Sequence, residues 1–230
     1  MRTVATDERR RIRAAAIAGL YAITPDLDDT TQLVRGVEAA LAGGARTVQY
    51  RNKHADSALA RAQAAALAQV HAARGGLYIV NDDPMLAAAV DADGVHLGED
   101  DGAVAAARAL VGPERIIGVS CYNRFDLAEG AVRAGADYVA FGSFYPSTVK
   151  PDARHADISL LERARSLRVP VVAIGGITAD NAAVLFEAGA DAVAVISAVF
   201  GSAGANEVES AARAIDSVYR GVTARRVASR

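Results

Sequence analysis

One short fragment recurs four times along the chain and constrains its fold more than any other feature. The copies are AGGARTV at 42–48, AVDADGV at 89–95, AGADYV at 134–139 and AGADAV at 188–193. Each copy is typical of a helix that ends, usually at a glycine tolerating positive φ, just before a strand. Their alanines at 45, 92, 136 and 190 are 47, 44 and 54 residues apart, so each interval has room for two strand–helix units.

The segments around these fragments predict eight short, buried strands separated by helices. The strands are β-branched or aromatic runs bounded by Gly, Asp or Pro, as in a parallel sheet covered on both faces. They lie at 19–24, 46–51, 77–81, 94–97, 116–120, 138–142, 169–174 and 192–196. Ala-rich amphipathic stretches at 32–41, 57–73, 102–111 and 181–188 predict helices, with N-caps at Thr30, Asp56 and Thr178. Eight successive units favour an α/β fold, a single closed (β/α)₈ TIM barrel, with an open doubly wound sheet as the alternative.

The two ends and the composition narrow the class of protein. We expect a leader or short helix at 1–16, a barrel domain at 17–220 and a basic tail at 221–230. A net charge of −2 lacks the electrostatic footprint of a nucleic-acid-binding protein, and the apolar run at 17–23 is too short to span a membrane. The single cysteine excludes a disulfide framework and indicates a reducing, cytoplasmic location. The oligomeric state, a homo-oligomer included, stays open.

Polar residues follow nearly every predicted strand. They are QYRNK at 49–53, NDD at 81–83, HLGEDD at 96–101, SCYN at 120–123, FGSFYPSTVKP at 141–151, GGIT at 175–178 and IS at 196–197. Active sites of (β/α)₈ barrels are built from the loops at the carboxyl ends of the strands. These segments therefore predict one polar rim.

Two acids on neighbouring strands suit a magnesium ion. Asp82 follows the third strand and Asp101 follows the fourth, so a barrel would bring them close together. Mg²⁺ takes one or two carboxylates together with phosphate oxygens and water. Asp83, Glu99 and Asp100 are interpreted as helix caps or solvated acids, although each could substitute as a ligand.

Two further groups on this rim suit anionic ligands. Gln49, Arg51 and Lys53 alternate, so they share one side if the strand continues that far; an ordinary salt-bridged strand end is the alternative. The glycines at 175–176 and the residues at 196–197 follow the last two strands, where barrels recurrently bind phosphate.

With these residues in view, the chain resembles the thiamine phosphate synthase family over about 17–200. The matching blocks are VQYRNK, IVNDD, DGVHLGEDD, IGVS, ADYVAFGSFYPSTVKP, PVVAIGGIT and AVAVIS. The resemblance implies a barrel transferase that joins hydroxymethylpyrimidine diphosphate to a thiazole phosphate. Thiamine phosphate and diphosphate would be the products.

The resemblance also implies roles for individual residues. The pyrimidine diphosphate would be held by Gln49, Arg51, Lys53, Asn81, Ser120 and Lys150. The thiazole phosphate would be held by Ser147, Thr148, Val149, Gly176, Ile196 and Ser197. Catalysis would depend on Arg51, Lys53, Ser120 and Lys150. One Mg²⁺ per subunit would be bound by Asp82 and Asp101.

One position departs from the family pattern. The sixth loop usually reads Pro-Thr/Ser-x-Thr-Lys, whereas Val149 stands here where a hydroxyl is expected. Three other functions compete: a thiazole tautomerase, a phosphate-binding barrel without catalysis, and a phosphate barrel of tryptophan biosynthesis. A tautomerase would not need the set of Arg51, Lys53, Asn81, Asp82, Asp101 and Lys150. Val149 is the only feature that favours the barrel without catalysis. A tryptophan-pathway barrel would not explain Asn81 and Asp82 together with Asp101.

Several other residues are interpreted as structural. Cys121 has no histidine near it in sequence, so we expect a buried, inert thiol. His96 is expected to be a packed, hydrogen-bonded histidine, with a role in orienting the metal loop as the alternative. Core positions are expected at Tyr21, Tyr78, Tyr138 and Phe141.

Overall fold

The chain folds into a closed barrel of eight parallel strands. A computed structural model describes residues 2–98, 102–146, 155–201 and 204–228. The strands are β1 Gly19–Ile23, β2 Thr47–Tyr50, β3 Leu77–Asn81, β4 Gly94–Leu97, β5 Ile116–Tyr122, β6 Tyr138–Gly142, β7 Val171–Ile174 and β8 Ala192–Val195. Each strand pairs with the next, and β8 pairs with β1 from Gly19↔Ala192 to Ala22↔Val195. The barrel prediction is confirmed, and the open sheet is excluded.

Helices surround this barrel. They are α1 Arg2–Ala15, α2 Thr30–Ala42, α3 Ser57–Arg74, α4 Pro84–Ala89, α5 Val104–Val111, α6 Phe125–Arg133, α7 Ser159–Ala164, α8 Ala182–Ala188, α9 Ser197–Phe200 and α10 Ala205–Ala228, with a 3₁₀ turn at Arg165–Leu167. Asp56 caps α3 as predicted. The other two predicted caps are wrong. Asp29 caps α2 by accepting the backbone N–H groups of Thr31 and Gln32, and Asn181 instead of Thr178 precedes α8.

Two apolar clusters hold the barrel together. The larger lies between the outer faces of the strands and the helices, and includes Leu33, Leu67 and Phe186. The smaller fills the barrel interior and includes Ile79, Ile116 and Val172, with Ala14 and Ile17 closing it from the N-terminal side. The interior is therefore packed at the amino ends of the strands, the lower end, and any ligand space lies at the carboxyl ends, the upper end.

The recurrent fragment forms the same structure four times at the lower end. The residue after each aligned alanine donates its backbone N–H to the preceding strand: Arg46 to Leu20, Asp93 to Tyr78, Asp137 to Ile117 and Asp191 to Val171. In the last three copies the Asp carboxylate also accepts the backbone N–H of that same partner residue, at 2.8–2.9 Å. We call Asp93, Asp137 and Asp191 the aspartate clamps. The repeat is thus a device that joins neighbouring strands.

Helix α1 lies against this lower end. Arg10 bonds the carboxylate of Asp137 at 2.8 Å and the carbonyl oxygen of Pro113 at 2.9 Å, while Arg13 approaches Asp93 at 3.5 Å. Helix α10 continues to Ala228 and keeps Val222 buried, so the described part of the predicted tail is helical. Among the described residues, no helix combines the length and the apolar character needed to cross a membrane.

Candidate functional site

A cavity of about 1000 Å³ opens at the upper end of the barrel. Every predicted site residue that the structure describes lines it: Gln49, Arg51, Lys53, Asn81, Asp82, Ser120, Gly176, Ile196 and Ser197. The remaining predicted residues lie outside the described part of the chain, namely Asp101, Ser147, Thr148, Val149 and Lys150. The cavity therefore brings both groups of candidate anion-binding residues into one space.

Arg51 is held on one side of this cavity by the loop after β1. Strand β2 ends at Tyr50, so Arg51 belongs to the next loop, where its Nη1 lies 3.1 Å from both carboxylate oxygens of Asp26. Asp26 also accepts the backbone N–H of Lys53 at 2.7 Å. Because Nη1 makes both contacts with Asp26, Nε and Nη2 are the groups through which Arg51 could meet a ligand phosphate.

The charge of Asp26 is favoured by these neighbours. Partial burial by itself would raise the pKa of this carboxyl group. The Lys53 backbone N–H and the Arg51 guanidinium outweigh that effect and hold the pKa below its ordinary value. Asp26 is therefore a charged anchor at neutral pH.

Lys53 and Asp82 stand beside each other at the same side of the cavity. Lys53 Nζ lies 3.7 Å from Asp82 Oδ2, and Asp82 adopts a positive φ of 62° directly after β3. The next residue, Asp83, accepts the backbone N–H of Leu86 and caps α4, as interpreted from the sequence. Of the two neighbouring acids, Asp82 is therefore the one that faces the cavity, next to the cation of Lys53.

The opposite side of the cavity is built from β7, β8 and the start of α9. Ser197 begins α9 directly after Ile196. The φ angles of Gly175 and Gly176 are +106° and +62°, and a Cβ on Gly176 would lie 2.3 Å from the carbonyl oxygen of Pro146. A Cβ on Gly175 would meet Ser143 Oγ at 2.1 Å. These glycines therefore admit the loop after β6 as well as leaving backbone exposed to a ligand.

A chain of polar side chains crosses the floor of the cavity. Gln49 Nε2 donates to Tyr21 OH at 2.8 Å, and Tyr21 OH lies 2.9 Å from Tyr138 OH. His96 Nδ1 lies 2.9 Å from Tyr138 OH, and His96 Nε2 lies 2.9 Å from Ser120 Oγ. We call Gln49, Tyr21, Tyr138, His96 and Ser120 the polar chain. The prediction that His96 is packed and hydrogen-bonded is confirmed.

The polar chain depends on one glycine. A Cβ on Gly118 of β5 would lie 1.9 Å from Cζ and 2.4 Å from the hydroxyl oxygen of Tyr138. Any larger residue at this position would collide with the tyrosine ring. Gly118 therefore lets Tyr138 reach across the barrel interior.

Cys121 is set apart from this chemistry. The pairing of β5 with β6 shifts register between Ser120 and Tyr122, and Cys121 lies in that irregularity, facing the outer core. The thiol is fully buried, and its burial raises its pKa to about 12. The predicted burial of this thiol is confirmed.

The structure adds residues to the candidate site that sequence reasoning missed. Asp26 lies in a Thr-Pro-Asp segment with no recognisable motif, and its contact with Arg51 forms only because closure of the barrel brings together two residues 25 positions apart. Tyr122 and Arg124 also line the cavity, beyond the end of β5. The tyrosines of the polar chain were predicted as core residues, which is correct, but their mutual contact was not.

The sequence and the fold of this chain match those of known proteins. A family model described as thiamine monophosphate synthase matches residues 20–199. The thiamine-phosphate synthase of Methylobacillus flagellatus is 56% identical over 203 residues, which are 88% of this chain and 96% of that one. That of Thiobacillus denitrificans is 56% identical over 183 residues, 79% of this chain and 87% of its own. The solved thiamine phosphate pyrophosphorylase of Pyrococcus furiosus superposes with a TM-score of 0.79 at 36% identity, covering 92% of this chain and 98% of that chain.

Proposed function

This chain belongs to the thiamine monophosphate synthase family, and from that premise we infer that it is a transferase that makes thiamine phosphate. Its substrates would be 4-amino-5-hydroxymethyl-2-methylpyrimidine diphosphate and 4-methyl-5-(2-hydroxyethyl)thiazole phosphate. Both are small phosphorylated molecules, which is consistent with the cationic and polar side chains that line the cavity.

One observation within the site carries this proposal: a single cavity holds two separate groups of residues suited to anions. Arg51 and Lys53 lie on the side of the early strands, and Gly176 and Ser197 lie on the side of the late strands. A diphosphate on the first side and a phosphate on the second would bring the organic parts of both substrates together over the polar chain. Holding two reactants in this way converts an encounter in solution into a reaction within one site.

The chemical step follows from the two substrates. The thiazole nitrogen would form a bond to the pyrimidine methylene carbon as the bond from that carbon to the diphosphate oxygen breaks. The bonding electron pair leaves with the diphosphate, and the nitrogen has no proton to lose, so no general base is required. Arg51 and Lys53 would stabilise the negative charge that grows on the departing group. Lys150, which follows β6 in the sequence, is proposed to join them.

A magnesium ion is proposed beside this leaving group. Asp82 would hold it with Asp101, and when bound it would neutralise charge on the diphosphate. The described residues contain no cluster of three or more Asp, Glu, His or Cys side chains that could enclose a metal ion. A single carboxylate at the cavity edge fits an ion that keeps phosphate oxygens and water as its other ligands.

The single buried thiol is consistent with the cytoplasmic location that we also propose.

The direct test is to incubate the purified chain with both substrates and Mg²⁺ and to separate the products by chromatography. Thiamine phosphate and diphosphate should form in equal amounts, and neither should form when one substrate is omitted. A chelator should stop the reaction, and added Mg²⁺ should restore it. Isomerised thiazole phosphate alone would indicate a tautomerase, and absence of any product with saturating substrates would overturn the proposal.

A further inference from the structure

The polar chain on the cavity floor has a defined direction. Gln49 and Tyr21 are 3% and 1% exposed, and Tyr138 is completely buried, so their hydrogens must find partners inside the protein. Burial, the largest cause in each case, holds the pKa of Tyr21 and of Tyr138 above the ordinary value, so both phenols keep their protons. Each tyrosine therefore has one hydrogen to donate.

The direction is set at the Gln49 end. Its amide Nε2 donates to Tyr21 OH, so the Tyr21 hydrogen is directed to the other contact of that hydroxyl, Tyr138 OH. If Tyr138 OH accepts this bond, its own hydrogen is left for its other contact, His96 Nδ1, at 2.9 Å. A neutral imidazole that accepts at Nδ1 carries its hydrogen on Nε2.

The consequence reaches Ser120. With its hydrogen on Nε2, His96 would donate across its 2.9 Å contact to Ser120 Oγ, and the serine hydroxyl hydrogen would then be directed toward the cavity. If the Gln49 amide were turned over, every bond in the chain would reverse. Ser120 would then donate to His96 and offer the cavity an acceptor.

We infer that Gln49, Tyr21, Tyr138 and His96 are positioning residues that make Ser120 a hydrogen-bond donor to the ligand. Ser120 then selects a ligand that places an unprotonated acceptor beside it, such as a pyrimidine ring nitrogen. This selectivity rests on the proposed function, since it presupposes the pyrimidine diphosphate as the ligand. The direction of the chain does not, because it belongs to the free protein.

The first experiment measures that direction in the full-length chain without ligand. Long-range proton–nitrogen correlation spectra of protein labelled with ¹⁵N-histidine distinguish the two neutral tautomers and the imidazolium form. His96 is expected to carry its hydrogen on Nε2, with its signals assigned by their loss in His96→Asn. A hydrogen on Nδ1, or on both nitrogens, would overturn the inference without any variant having to fold.

Two tyrosine variants then separate direction from packing. Each removes one buried hydroxyl from the same chain. Tyr21→Phe removes the link to Gln49, but the buried Tyr138 hydroxyl still has His96 Nδ1 as an acceptor for its hydrogen, so the Nε2–H tautomer should persist. In Tyr138→Phe, His96 Nδ1 loses its contact with the Tyr138 hydroxyl, so a mixture of tautomers should appear. His71 lies outside the polar chain, and its signals should be the same in both variants.

Kinetics provide the second readout. Tyr138→Phe should raise the KM for the pyrimidine diphosphate by about fivefold, the effect of one neutral hydrogen bond, with the KM for the thiazole phosphate unchanged. Tyr21→Phe should raise the KM for the pyrimidine diphosphate by a smaller factor. Identical tautomers and identical KM values in the two variants would show that the polar chain only packs the barrel interior, and would overturn the inference. If the wild-type tautomer is as expected but no thiamine phosphate forms, the proposed function fails and the direction of the polar chain stands. If the enzyme is active but His96 carries its hydrogen on Nδ1, the direction of the polar chain fails and the proposed function stands.

Discussion

The two ends of the barrel use charged residues in different ways. At the lower end, Asp137 is bonded by the Ile117 backbone N–H, Arg10 and Arg108, all within 2.6–2.8 Å. At the upper end, Lys53 and Asp82 stand 3.7 Å apart and face a cavity. The charge of Asp137 is fully engaged in contacts within the protein, whereas Lys53 and Asp82 can exchange their mutual interaction for contacts with a ligand.

This difference separates stability from activity along the barrel axis. The lower end repeats one solution, because each aspartate clamp joins two neighbouring strands in the same way. The upper end repeats nothing, because each loop has to place a different group around a small ligand. Substitutions at the two ends should therefore affect different measurements.

The largest effect is expected from the acid at the upper end. Asp82→Ala should lower Mg²⁺-dependent turnover by about a hundredfold or more, because the proposed ion loses a carboxylate. The free energy of unfolding should change little. We expect the same of Asp101→Ala, and steady-state kinetics at saturating Mg²⁺ measures both.

The neighbouring acid provides the control for this prediction. Asp83→Ala should cost about 1 kcal/mol of stability through loss of the α4 cap and should keep turnover. Near-normal turnover in both Asp82→Ala and Asp101→Ala would contradict the metal assignment.

The next largest effect is expected at the lower end. Asp137→Ala should lower the free energy of unfolding by about 3 kcal/mol, because it leaves two arginines and a backbone N–H without their buried acceptor. Urea denaturation measures this loss, and kcat should be retained while the protein is folded. Asp93→Ala is a matched control with a smaller expected loss, since the Asp93 side chain is 30% exposed and its arginine lies 3.5 Å away. Equal losses in the two variants would show that burial does not set the strength of a clamp.

A smaller effect, of opposite sign at the two ends, is expected from pH. Burial raises the pKa of Asp191, so its stabilising contribution is complete below about pH 4 and is lost as the pH rises through the folded-state pKa. The pKa of Asp26 is lowered, so its contribution is present above about pH 4 and is lost as the pH falls through the folded-state value. Thermal unfolding measures both contributions. The stability difference between the wild type and Asp191→Asn should fall as the pH rises, whereas the difference between the wild type and Asp26→Asn should rise. Parallel slopes would refute the assignment.

The smallest effect is expected at a position outside the described residues. Val149→Thr restores the hydroxyl that the family pattern has there, and activity should be equal or improved. Titration of thiazole phosphate measures the KM. A large loss of activity would show that the valine is adapted to this site.

Much of the fold was predictable because strand signals are local. The observed bounds of β3, β4 and β6 are those predicted, since Gly, Asp or Asn flanks each buried run. Strand β5 extends two residues further, to Tyr122, beyond where a polar serine marks a predicted end. The helix caps were harder, because Asp29 and Thr30 are both good capping residues and only the geometry of the chain entry selects between them.

The site was predictable where it follows strands and hidden where it depends on closure. Arg51 directly follows β2 and Ser197 follows β8 by two residues, so topology alone brings them to the cavity. The contact between Tyr21 and Tyr138 joins positions 117 residues apart across the barrel interior. No local pattern encodes a distance of that kind.

The fit between Gly118 and Tyr138 has a consequence for how such sequences can diverge. The tyrosine ring occupies the space that a side chain at 118 would need. A first mutation at 118 would be harmful while the tyrosine is present, and loss of the tyrosine alone would interrupt the contacts of His96. The two positions should therefore covary, and a family member with a side chain at 118 should have a smaller residue at 138.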